Sequence, residues 1–199
     1  IIPMDGDGED RPEEIKNFVE NINFNPNKTI VGKRVKRTEK LIFKICYKIH
    51  KALTFLSTGQ SIKFGNYTCL PKSTVEKMIN EKATWSSFSG ALQKVEKDKV
   101  EVPSERGVRY FGPSKMSFLN LIKHSLSIIS VFKFNVLIRS VLFLVVYLFL
   151  ISENISNVTL IPFYLVILLN ILTFYFSNRE SIEALNHSLD NISAVDQIK

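Results

Sequence analysis

Residues 136–151 and 158–176 form two long apolar runs separated by only six residues, and no other feature constrains the fold of this chain so strongly. Each run is close to the ~20 apolar residues that cross the hydrocarbon core of a bilayer. From position 134 to 176 the only charged residues are Arg139 and Glu153. Six residues allow a tight turn, so the pattern predicts a transmembrane helical hairpin over 133–177, with spans of about 136–151 and 158–176. Arg139 lies one turn inside the first span, from where its aliphatic stem can carry the charge back to the headgroups. A soluble protein of 199 residues would have too little polar chain to enclose two such helices.

The charges follow the same plan. Lys115, Lys123, Lys133 and Arg139 precede the hairpin and Arg179 follows it, while the turn carries only Glu153. The positive-inside rule then predicts a multi-pass protein of the plasma (inner) membrane or an endomembrane, with both chain ends, including a 178–199 tail, in the cytoplasm. The formal net charge of +7 would suit nucleic acid, but its distribution points elsewhere. Lys40, Lys44, Lys48 and Lys51 follow one face of a helix predicted over 39–57, with Leu41, Ile42, Ile45, Ile49, Ala52 and Leu53 on the other. Such a helix suits an anionic membrane surface; the alternative is a surface helix packed on its own domain. Because the basic faces lie beside apolar ones, no nucleic-acid partner is expected. A second interfacial helix is expected over 116–132.

Before that point, short apolar runs alternate with helical patterns, which predicts an α/β fold. Residues 1–4 read as a strand ending at an acidic turn, 28–31 and 100–103 as further strands, and 64–70 as a turn into a short strand. Helices are expected over 11–20, with Pro12 in the first turn, over 72–80 and over 86–95. The chain does not begin with Met and its first residues are acidic, so it reads as a fragment entering mid-fold. Cys46 and Cys69 match no metal-ligand spacing and read as reduced thiols.

The densest chemistry lies in Met4-Asp5-Gly6-Asp7-Gly8-Glu9-Asp10. Two carboxylates one residue apart at a strand end can hold a divalent cation that also bridges phosphate oxygens. A calcium loop of the EF-hand type fails on spacing, since from Asp5 the sixth position is Asp10 rather than Gly and the twelfth is Lys16 rather than Glu. A solvated acidic turn remains the other reading of these residues.

The segment Ile2-Pro3-Met4-Asp5-Gly6-Asp7-Gly8-Glu9-Asp10-Arg11-Pro12-Glu13 resembles the metal-binding Asp-x-Asp region of family-2 glycosyltransferases. Arg109-Tyr110-Phe111-Gly112-Pro113-Ser114-Lys115 is similar to the Arg-x-x-Gly-x-Ser-Lys signature of the polyprenyl-phosphate group within that family, which includes the dolichol-phosphate mannose synthases. Gly65-Asn66-Tyr67, with Leu70 and Lys72, resembles the group's Gly-Asn-Phe-x-x-Leu-x-Arg region. Two departures are Pro113, where Glu is common, and Ser61-Ile62-Lys63-Phe64, which brings no Asp before Gly65.

The resemblance implies the C-terminal part of a nucleotide-sugar-binding glycosyltransferase fold over 1–115, lacking its N-terminal part, followed by the interfacial helices and the hairpin. It implies that Asp5 and Asp7 are catalytic and hold Mg²⁺ or Mn²⁺ together with Glu9. Arg34, Arg37, Arg109, Ser114 and Lys115 would bind phosphate and the acceptor. The implied activity is inverting, metal-dependent transfer of a sugar from a nucleotide-sugar donor to a polyprenyl phosphate at the cytoplasmic face, with the fragment inactive alone. A phosphate acceptor is already ionised and needs no general base. The alternative function is a non-catalytic membrane adaptor that binds anionic lipid and a partner membrane protein. Either is compatible with a homo-oligomer.

Overall fold

The computed structural model describes residues 1–36, 41–112 and 117–192. The order of elements begins with a 3₁₀ turn, Pro12–Glu14, that leads into α1 (Ile15–Phe24), followed by β1 (Thr29–Lys36), α2 (Leu41–Thr58) and β2 (Thr68–Cys69). Then come α3 (Lys72–Ile79), α4 (Ala83–Ser86), α5 (Phe88–Val95) and β3 (Lys99–Glu105). The C-terminal part is helical, with α6 (Phe118–Ser130), α7 (Lys133–Leu150), α8 (Ile161–Ser177), α9 (Ile182–Asn186) and a 3₁₀ turn over His187–Asn191.

The sheet is open, in the order β2-β1-β3, with β1 antiparallel to β2 and parallel to β3. Ile30 faces Val100 and Val31 faces Glu101 across the parallel pair. Side chains alternate between the faces of a strand, and β1 shows the consequence. Ile30 joins Phe18, Tyr67, Cys69 and Val102 under α1. Val31 joins Leu70, Met78, Ala91 and Leu92 under α3 and α5. The result is a mixed α/β layer structure with a small core on each face.

Residues 1–4 are extended rather than a regular strand, yet Ile1 exchanges both backbone hydrogen bonds with Leu70, at 2.8 and 2.9 Å. The N-terminal segment therefore lies along the outer side of β2. The first predicted helix divides into a 3₁₀ turn and α1, and the helix expected over 86–95 forms as α5 from Phe88, preceded by the short α4, with Ser87 capping α5 by accepting from Gly90 N.

Val131 and Phe132, at the junction of α6 and α7, are buried in the α3/α5 core, so the base of the helical part is built into the α/β domain. Beyond it, α7 is long and apolar enough to cross a membrane. Val136 and Ser140 are its buried residues, while Leu142, Val145, Val146, Phe149 and Leu150 stand exposed, as a helix in the core of a soluble protein would not leave them. The following helix, α8, has 17 residues and reaches that length only together with the short helical segment 182–190, bent from it by 42°. It starts later than the sequence predicts because Thr159 and Ser156 tie residues 156–159 into a side-chain-bonded turn, and Pro162 then fits the first helical turn.

Candidate functional site

The acidic loop and the arginine-containing segment lie almost a hundred residues apart in sequence and meet in space. The loop follows the extended N-terminal segment beside β2, and the arginines follow β3, with β2 and β1 between them. Inside the loop, Glu9 N donates to Asp7 Oδ1 at 2.9 Å and Asp5 N donates to Asp10 Oδ2 at 3.1 Å, which folds the carboxylates into one turn. Two backbone bonds then join the segments: Gly107 N to Glu9 O and Tyr110 N to Asp7 O, both 2.9 Å. At the base, Glu105 N donates to Glu14 Oε1 at 2.7 Å and Tyr67 Oη to Arg11 O at 2.5 Å.

Two glycines allow this approach. Gly8 has φ of +88° and lies beneath the Tyr110 ring, where a Cβ would stand 2.8 Å from three ring carbons. A Cβ on Gly107 would run into the backbone carbonyl of Gly8. Tyr110 itself is largely exposed on its outer side.

The side chains make an interleaved charge cluster. Arg109 reaches Asp7 Oδ2 and Glu9 Oε1, each at 2.9 Å, and Arg106 pairs with the other Glu9 oxygen. Arg34, from β1, approaches Asp10 at 3.4 Å. Asp10 is only 4% exposed, and burial raises its pKa above 3.8 against the opposing pull of the Asp5 amide and the Arg34 guanidinium. Burial also pushes the Tyr67 hydroxyl up to about 12, with Glu14, Asp10 and Glu13 adding to the shift. The Asp5 carboxylate is exposed and has no side-chain partner among the described residues. Glu14 Oε2 is buried without a hydrogen bond among them.

Of the residues singled out in the sequence, Asp5, Asp7, Glu9, Arg34 and Arg109 are thus gathered at one end of the sheet. Arg37, Ser114 and Lys115 lie outside the described residues. Asp7 spends one oxygen on the Glu9 amide and the other on Arg109, so a cation at Asp7 would have to exchange with that guanidinium. Among the described residues no group of three or more His, Cys, Asp or Glu side chains converges as a metal site would. Arg106 and Tyr110 are members of the cluster to which sequence reasoning gave no role, because their partners, Glu9, Asp7 and Gly8, lie about a hundred positions earlier in the chain.

The helices below the site carry exposed apolar surface. Ile45, Ile49, Leu53 and Leu56 of α2 are exposed, whereas Thr54 and Thr58 face the rest of the protein. Its apolar stripe is therefore not packed on its own domain. Comparison with known proteins finds no matching family model, no matching curated protein and no matching solved structure.

Proposed function

We propose that this chain is the membrane-proximal part of a family-2 glycosyltransferase that transfers a sugar from a nucleotide-sugar donor to a polyprenyl phosphate at the cytoplasmic face. The observation that supports it best is the meeting of the Asp5–Asp10 loop with Arg106, Arg109 and Arg34 at one end of the sheet. Two of the three segments that carry the family resemblance, the one around Asp5–Asp10 and the one beginning at Arg109, are those that meet there. A sugar-nucleotide diphosphate brings phosphate oxygens for the arginines, whose planar guanidinium groups match them in pairs. Mg²⁺ or Mn²⁺ would be held by Asp5 and Asp7, with Glu9 beside them, and would supply charge stabilisation for the departing nucleotide diphosphate. Arg109 would then turn from the carboxylates to the phosphates, keeping charge balanced at each stage.

The membrane topology belongs to the same reading. With α7 and α8 both spanning, their polar ends face the α/β domain, and α2 and α6 lie along the bilayer surface with the exposed stripe of Ile45, Ile49, Leu53 and Leu56 dipped into it. The acidic loop would then work close to a lipid-borne phosphate.

The test uses the complete gene product in vesicles with polyprenyl phosphate, Mg²⁺ and radiolabelled nucleotide sugars. Transfer to lipid, lowered more than ~100-fold in Asp5→Asn and in Asp7→Asn, is the expected result. No transfer with any nucleotide sugar, or transfer indifferent to both substitutions, would overturn the proposal. The ion pairs of Asp7 and Glu9 also favour a second reading, in which the cluster is a structural latch of a membrane adaptor. That reading predicts no transfer by the wild type and lost stability in Asp7→Asn.

A further inference from the structure

A second cluster of cations lies away from the acidic loop, where α8 ends beside α6. Lys123 of α6 and Tyr175, Phe176, Asn178 and Arg179 at the end of α8 line an open groove of about 420 Å³. Among the described residues its lining holds two cations and no carboxylate. The nearest acid in sequence, Glu180, is turned inward to Lys82 and Lys133, at 3.7 and 3.9 Å. Lys123 makes no ion pair among the described residues. Arg179 is held in place: it donates to Ser127 Oγ at 3.1 Å and its guanidinium lies 5.9 Å from the centre of the Phe176 ring.

The groove sits at the end of the α7/α8 pair that faces the α/β domain, since Lys133 at the start of α7 reaches Ser177 at the end of α8 at 3.2 Å. On one side are the apolar flanks of the two helices; Tyr175 and Ile171 are exposed there. On the other is the domain. A ligand filling it would need negative charge for Lys123 and Arg179, a polar body for Asn178, and an apolar extension along α8.

We propose that this groove binds the headgroup of an anionic glycerophospholipid, with the phosphodiester between Lys123 and Arg179 and the acyl chains along the outer face of α8. The site rests on the membrane placement of α7 and α8 and not on sugar transfer. A fixed lipid here wedges α6 against α8, and so holds the α/β domain at a set height above the bilayer.

The experiment is native mass spectrometry of the full chain released from detergent, with phosphatidylglycerol, phosphatidylcholine or inorganic phosphate added at equal concentration. The wild type should retain one phosphatidylglycerol and no phosphatidylcholine, with inorganic phosphate failing to displace it. Each cation near a membrane surface contributes about a fivefold factor in affinity, so Lys123→Glu should lower retention at least fivefold and Lys123→Gln with Arg179→Gln about 25-fold. Lys123 has no ion-pair partner to lose among the described residues, so the single variant should melt as the wild type does even if the double variant is disturbed through Ser127. Equal retention of both lipids, retention unchanged in Lys123→Glu, or displacement by inorganic phosphate would each overturn the proposal. Flotation with phosphatidylcholine liposomes separates the causes. A chain that does not float has lost the membrane placement and the site with it; one that floats without lipid preference has lost the site alone.

Discussion

Gly107 has no positive φ, and its demand for a hydrogen side chain comes chiefly from the Gly8 carbonyl across the gap, with Arg11 Cγ 3.1 Å from an added carbon as a lesser obstacle. The obstacle to a methyl group there is a backbone carbonyl, which cannot rotate away as a flexible side chain can. We expect Gly107→Ala to destabilise the chain by about 2 kcal/mol and to separate Arg106 and Arg109 from the acidic loop. Gly6→Ala, with nothing within 4 Å of the added carbon, should be neutral to within about 0.5 kcal/mol. Melting in detergent distinguishes the two, and equal melting temperatures would remove the close approach from the account. Asp10 gives a second test. Burial raises its folded pKa above 3.8, so between these values the folded state binds more protons than the unfolded one. Its contribution to stability therefore falls as pH rises through that window and increases again on acidification. Asp10→Asn should abolish this component, seen as a difference between wild type and variant in the change of melting temperature from pH 7 to pH 4. The roles of Gly8 and Gly107 were not legible in the sequence, because each is explained by a residue about a hundred positions away. The acidic loop was legible as a cluster, since its carboxylates are neighbours in the chain.

Among the elements, β1 and β3 were legible from runs such as Thr29-Ile30-Val31 and Val100-Glu101-Val102. Their parallel pairing was not, since register depends on contacts made through the intervening helices. The sequence places α2 correctly as an amphipathic helix, but not what holds it. Arg139 donates to Leu56 O at 3.4 Å, and Asn135 donates to Thr58 O at 3.3 Å. Two polar residues at the start of α7 thus serve the free carbonyls at the end of α2. Arg139→Leu should speed amide exchange at Gly59, whose N–H bonds to Phe55 O, by several-fold. Unchanged exchange would mean that the contact does not hold the helix end. The junction of α2 with α6 has its own pH response. Partial burial lowers the His50 pKa below 6.5, with His124 adding to the shift; His124 is shifted in the same direction by the protein around it, although its side chain remains exposed, so His50 carries most of the effect. A lowered folded pKa means that the unfolded state takes up protons more readily, so this contribution to stability is present above pH 6.5 and declines as pH falls towards the lowered values. Melting temperature should drop from pH 7 to pH 5.5 in the wild type and less in His50→Gln with His124→Gln.

At the scale of the whole molecule, the question is what ties an α/β domain of modest core to helices that expose apolar surface on most sides. Part of the answer is apolar: Val131 and Phe132 lie in the same core as Leu92 and Met78. Part is small polar packing, with Ser127, Ser130, Ser140, Thr173 and Ser177 buried where α6, α7 and α8 approach, and Asn170 donating to Ser140 Oγ at 2.8 Å. Small residues of this kind let helices come close in an apolar medium. The remaining tie is ionic. The Glu180 side chain is 3% exposed and lies between Lys133, at the base of α7, and Lys82, from the loop before α4. It joins the end of α8 to both the hairpin base and the α/β domain. Removing it leaves Lys133, itself only 20% exposed, without a carboxylate, while the half-exposed Lys82 recovers its loss in water. Breaking a buried pair from one side costs about 3–5 kcal/mol, and exposure on the Lys82 side brings the expected loss for Glu180→Ala to about 2–3 kcal/mol. If the tie couples the two parts, the variant should melt in two steps where the wild type melts in one, and trypsin should gain access to Lys133 before the α/β domain unfolds. A single transition at the wild-type temperature would assign the coupling to Val131, Phe132 and the small polar packing without the ion pair.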